Sequence, residues 1–194
     1  MNQQTRLPSL TEDQLTKEQK AMLDAILAGP RKSLQGPFTA WLHSPQLGNL
    51  AQQLGAYCRY QTGLPLRLSE LAILTTAAHW QSQAEWQIHL PIALKAGLSA
   101  QLAEQIRIGA TPVFEDDDEQ LVWQFATELY QHKRVSDNTY QAANQRFGLT
   151  VVVNLVGLLG YYALVAMTLN VFGMRVEGQT NLPFHEPFFK DKNS

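Results

Sequence analysis

The sequence predicts an all-α fold in a single domain. Three observations carry this. Apolar residues recur at helical spacing through most of the chain. Ser, Thr, Gly and Pro punctuate those runs where helix ends are expected. No run alternates as a half-buried strand would. A length of 194 residues suits one core that needs neither disulfide nor metal.

The elements follow in order. Thr11-Glu12-Asp13-Gln14 has capping-box form and predicts a first helix carrying Leu15, Met22 and Ile26, stopped at Gly29-Pro30. Ser44-Pro45 opens the next, a capping serine before a proline suited to the first helical position. Its apolar face is Leu47, Leu50, Ala51, Leu54 and Cys58. That places Cys58 on a buried stripe, as a small core residue rather than a reactive thiol. Gly63-Leu64-Pro65 breaks the chain. Helices over 66–80 and 83–96 follow, with Gly97 at a left-handed C-cap. Ser99 starts a short helix to about 108. The acidic run from Glu115 to Glu119 begins another, with Leu121, Val122, Phe125 and Leu129 on its apolar face. Carboxylates there favour the helix dipole, which explains them better than a metal does. Ser136 caps a helix ending near Gly148, and an uncharged helix runs on to about 172. The count is seven to eight helices. Residues 1–174 form the domain, and 175–194, with Pro183 and Pro187, an extended tail.

Composition narrows the function. Charged residues make up only 16%, against ~25% for an average domain. Twenty glutamines supply much of the missing polarity. A net charge of −2 with 45% hydrophobic residues excludes a disordered chain and gives no basic footprint for nucleic acid. No apolar run follows Arg6, so a cytoplasmic location is expected. One cysteine permits neither an intrachain disulfide nor a dithiol couple. The charge deficit is concentrated at 147–174. Asn154, Thr168 and Asn170 interrupt that stretch and no basic cluster flanks it. It reads as a helix buried on nearly all faces, in the core or between subunits, rather than in a membrane.

The densest polar constellation in an apolar region is Glu70 with Ser82, Glu85, Trp86 and His89. Ser82, Glu85 and His89 stand at i, i+3 and i+7 and share a helix face. Glu85 and His89, four apart, are expected to hydrogen-bond as an acid/base pair. Glu70 lies in an otherwise apolar helix, where it must be solvated, paired or protonated, and Arg67 at i−3 could pair with it. No second ligand pair with metal spacing is present, so no metal is expected. GxSxG, P-loop and GxGxxG motifs are absent.

At these residues the chain resembles the carboxymuconolactone decarboxylase family, whose fold is the alkylhydroperoxidase D-like helical bundle. The resemblance rests on Arg67-Leu68-Ser69-Glu70-Leu71-Ala72-Ile73-Leu74, Ala84-Glu85-Trp86-Gln87-Ile88-His89 and Ala93-Leu94-Lys95-Ala96-Gly97-Leu98-Ser99. Val135-Ser136-Asp137 and Gly160-Tyr161-Tyr162 extend it. The peroxidase branch uses a glutamate followed by Cys-x-x-Cys-x-x-x-His. Here those positions are Glu70, Ser82, Glu85 and His89, so both redox sulfurs are replaced and no disulfide exchange is possible there. The decarboxylase branch keeps a glutamate four before the histidine. It implies a cofactor-independent lyase acting on a small carboxylated lactone or related acid. His89 would supply a proton, Glu85 orient it and Glu70 tune or relay, with Trp86 and Ser82 at the substrate. The resemblance also implies a homo-oligomer: a dimer, trimer or hexamer. Two other readings are an alkylhydroperoxidase- or peroxiredoxin-like antioxidant protein and a non-catalytic oligomeric small-molecule binder.

Overall fold

A computed structural model describes residues 6–29, 34–178 and 180–186. Among these the chain holds nine α-helices and one 3-10 turn, with no strand. This is the all-α bundle the sequence predicts, with one or two helices more than expected.

The first helix begins later than the capping box at Thr11 suggests. That box closes only a 3-10 turn, Glu12–Gln14. The chain then turns extended at Leu15, and a second box takes over: Thr16 N–H donates to Gln19 Oε1 at 2.8 Å, and Gln19 N–H to Thr16 Oγ1. Helix α1 is Lys17–Ala28, with Met22 and Ile26 buried. Pro30 lies outside the described residues. The short α2, Phe38–Trp41, buries both of its aromatic side chains.

Helix α3, Pro45–Tyr60, starts where Ser44-Pro45 places it, although the Ser44 hydroxyl makes no cap bond. Its buried face is not the leucine face. Gly48, Ala51, Gly55 and Cys58 point inward, while Leu47, Leu50 and Leu54 are exposed. The reason is close packing. A Cβ at Gly48 would fall 2.9 Å from the Trp41 Cβ and 2.5 Å from the Met22 methyl. Only the small-residue side of α3 admits α1 and α2 this closely. Gly48→Ala is therefore expected to destabilise by about 1–2 kcal/mol despite alanine's better helix propensity. Urea unfolding of the variant measures it.

Helix α4, Leu66–His79, is the hub and packs against α5, α6, α7 and α9. Ten of its fourteen residues are buried, Glu70 among them. A tight turn through Trp80 and Gln81 reverses the chain into α5, Gln83–Lys95. Ser82 N–H donates to Ala77 O at 2.9 Å, and Gln81 takes a left-handed φ of 50°. Helix α6, Ala100–Arg107, is capped by Ser99, and α8, Asp137–Phe147, by Ser136. Helix α7, Asp117–His132, is capped by Asp116, whose side chain accepts from Glu119 N–H at 2.9 Å. The acidic run has a second task. Arg67 reaches across from α4 to Asp116 and Glu119, not to Glu70. A carboxylate three residues along α4 lost to an N-terminus that offers two together.

Helix α9, Leu149–Phe172, is 24 residues long with a mean hydropathy of 2.0, long and apolar enough to cross a membrane by length and composition. It is buried on one side only, against α3, α4, α5 and α8. Leu149, Val153, Val156, Met167 and Val171 face outward, so burial on nearly all faces does not hold within one chain. Its polar residues serve neighbouring loops and its own backbone. Asn154 Nδ2 donates to Thr62 O, Asn170 Nδ2 to Trp80 O, and Thr168 Oγ1 to Leu164 O. The described part of the tail, 175–178 and 180–186, carries no helix. It returns across the start of α5, where the Gln83 amide pairs with both backbone groups of Phe184. Residues 187–194, with Pro187, lie outside the described residues.

Candidate active site

The α4–α5 turn sets the site. Glu70 lies eleven residues before Gln81 and His89 eight after it. At ~1.5 Å per residue both sit at similar depth along the two helices. The side chains meet: His89 Nδ1 and Glu70 Oε2 are 2.7 Å apart, with the two side chains only 6% and 1% exposed. The expected Glu85–His89 hydrogen bond is absent. Along one helix, residues four apart share a face, but a facing helix offers His89 a carboxylate at better geometry. Glu70 therefore orients the imidazole, and His89 gives the buried glutamate its partner.

Glu85 is left in a different state. It is 1% exposed, and neither carboxyl oxygen has a hydrogen-bond partner. Burial holds its carboxyl well above the usual carboxylate range. An ionised carboxylate without a partner in so apolar a place is costly, so burial favours the neutral acid. The two glutamates thus differ in surroundings: Glu70 faces an imidazole, and Glu85 has no partner.

Both His89 and Glu85 line a pocket of about 350 Å³. With Ile88 and Ile92 they make up one face of α5, at i, i+3, i+4 and i+7. Tyr161, Tyr162, Val165 and Leu169 of α9 form the opposite wall, and Phe38 and Arg59 contribute from α2 and α3. The His89 and Tyr162 rings stand edge to face at 5.1 Å. Burial pushes the Tyr162 phenol well above its usual value, which keeps its hydroxyl protonated.

Two residues expected at the substrate do not line this pocket. Trp86 is one residue from Glu85 and so rotated ~100° around the helix. It packs edge-on against Phe184 at 5.5 Å, under the returning tail. Ser82 occupies the N-cap position of α5, fully buried, its hydroxyl neither capping nor partnered. Cys58 is 1% exposed in the core and does not line the pocket. Among the described residues no cluster of His, Cys, Asp and Glu has the makings of a metal site. Arg59 was not foreseen. It belongs to an exposed-looking helix end, and its place at the pocket arises from contacts with chain thirty and a hundred residues away.

Fold and site together define an all-α protein with a small pocket walled by α5 and α9, with α2 and the end of α3 at its edge, and with Glu85 and His89 in its lining. Residues 45–128 match the family described as Carboxymuconolactone decarboxylase family. That segment runs from α3 into α7 and contains Glu70, Ser82, Glu85 and His89, which bears out the resemblance read from the sequence. No curated protein and no solved structure matches the chain.

Proposed function

We propose that the protein is a cofactor-independent enzyme of acid/base type, a decarboxylase acting on a small carboxylated lactone or related acid. The observation that carries this is the pairing, in one small pocket, of a His89 oriented by Glu70 with a neutral, unpartnered Glu85. Loss of CO2 breaks a C–C bond and leaves its electron pair on the substrate as an enolate. A neutral carboxylic acid donates a hydrogen bond to that developing oxyanion. His89 then delivers a proton to the carbanionic carbon, and is reprotonated from solvent. The roles differ from those the resemblance implies: Glu70 orients, and Glu85 stabilises charge. Tyr161 and Tyr162 wall the site, whereas Trp86 and Ser82 support α5 from behind. A thiol-dependent antioxidant role has little support, because Cys58 is core.

The reading includes a homo-oligomer. The exposed leucines of α3 and the outward side of α9 form an uncharged surface suited to a second copy. Light scattering is expected to give a mass above 21.8 kDa; a monomer contradicts this part. The enzymatic reading is tested by incubating small carboxylated lactones and β-keto acids with the protein and following CO2 loss by product mass, with and without peroxide. His89→Gln is expected to lower turnover by about 10²–10⁴-fold. Unchanged turnover removes His89 from the mechanism, and peroxide consumption without CO2 loss removes the lyase.

A further inference from the structure

We infer that the returning tail, 175–178 and 180–186, is a displaceable strap that pins the first half of α5, and that its release lets the segment carrying Glu85 and His89 bend about Pro91 and open the pocket. The inference rests on this pocket being the functional site and holds whichever reaction runs there.

Helix α5 has a weak point in its interior. Pro91 offers no N–H to the Gln87 carbonyl, and its ring crowds that oxygen. Helices bend at such positions. Of the α5 residues that line the pocket, Glu85, Gln87, Ile88 and His89 precede Pro91 and only Ile92 follows it. The pocket wall is therefore carried mostly by the half of α5 that enters from the tight turn at Gln81. Towards α4 this half is held by the Glu70–His89 pair.

The tail holds it from the other side. It leaves α9 at the pocket, where Val176 is in the lining, and passes round α5 to Gln83 and Trp86, which do not line the pocket. Gln83 Nε2 donates to Phe184 O at 2.6 Å and Phe184 N–H to Gln83 Oε1 at 3.0 Å. Gln87 Nε2 donates to Asn181 O at 3.1 Å. The Phe184 ring meets Trp86 edge-on. All three α5 residues lie before Pro91. Arg107 of α6 donates to Pro183 O, and an Arg175–Glu186 ion pair draws the two ends of the strap together.

The strap is built to come off. Its described residues form no helix or strand, and Phe184 alone among them is buried. A segment with so few buried contacts opens far more readily than the whole fold. Docked, it clamps the first half of α5 against α4 and α9. Released, it uncovers Gln83 and Trp86, withdraws Val176 from the pocket wall, and leaves that half free to bend at Pro91.

Hydrogen exchange of the full chain, read by mass spectrometry at pH 7 without substrate, tests this. Amides 87–90 report on the first half of α5 and amides 92–95 on the second. Phe184→Ala, which removes the anchor, is expected to speed exchange at 87–90 by about tenfold or more and at 92–95 by less than about threefold. Phe184→Leu is expected to show the same pattern at smaller size. Adding Pro91→Ala to Phe184→Ala restores an N–H for the Gln87 carbonyl at an exposed position, and is expected to reverse most of the acceleration. Circular dichroism checks that each variant folds. No acceleration at 87–90, equal acceleration of both halves, or an acceleration that Pro91→Ala leaves unchanged overturns the inference. If exchange behaves as stated while turnover is indifferent to His89, the acid/base reading fails and the strap stands.

Discussion

Replacing His89 with leucine is expected to destabilise the protein by about 3–5 kcal/mol, because it strands a carboxylate inside a buried helix pair. Glu70 is 1% exposed and has His89 as its hydrogen-bond partner. With the imidazole gone, Glu70 must either ionise without a partner or take up a proton on folding. Adding Glu70→Leu to His89→Leu is expected to recover most of the loss, since two apolar side chains leave no buried charge. Urea unfolding of the parent, both single variants and the double variant gives the coupling directly. Losses that merely add would remove the pair from the account.

The second large effect runs the other way. Glu85→Met is expected to stabilise the protein by about 1–3 kcal/mol at neutral pH and, on the acid/base reading proposed above, to abolish turnover. The parent buries two carboxyl oxygens without partners, and an unsatisfied buried polar group costs about that much. Methionine fills a similar volume without polar atoms. The effect has a pH signature. Glu85 has its carboxyl raised in the folded state. Below the unfolded value, ~4.3, both states hold the proton. As pH rises past it, the unfolded chain ionises while the folded one does not. Stability then falls with pH until the raised folded value is passed. Glu85→Met lacks that slope, so its advantage grows from pH 4 towards pH 7. Gain in stability with loss of function is the pattern of a group retained for chemistry.

These two glutamates also mark where sequence reading succeeds and where it stops. Local grammar was legible. Ser44-Pro45, Ser99 and Ser136 stand at helix starts because capping and proline placement depend on neighbours within a turn. The family motif drew attention to Glu70, Glu85 and His89 together. Pairing was not legible. Spacing along α5 proposes Glu85 for His89, and spacing along α4 proposes Arg67 for Glu70. The folded chain instead joins Glu70 to His89 across the helix pair and Arg67 to the cap of α7. Each outcome turns on a helix far away in sequence, which periodicity cannot see. The α3 face failed for a related reason. Periodicity selects leucines, but close approach of Met22 and Trp41 selects Gly48, and Ala51 and Gly55 are buried on the same small-residue side. The leucines are left on the surface beside the exposed side of α9. The scarcity of charge thus has two sources, the outward apolar face of α3 and α9 and the apolar α4–α5 pair in which Glu70, Glu85 and His89 are buried.

The protonation state of Glu85 is the point on which the acid/base reading depends most. The infrared difference spectrum between the parent protein and Glu85→Gln at pH 7 measures it. The account predicts that the parent carries a protonated carboxyl C=O band, shifted little in D2O and absent from the variant. A difference made up only of ionised carboxylate bands would mean that Glu85 is charged in the folded protein, and would contradict it.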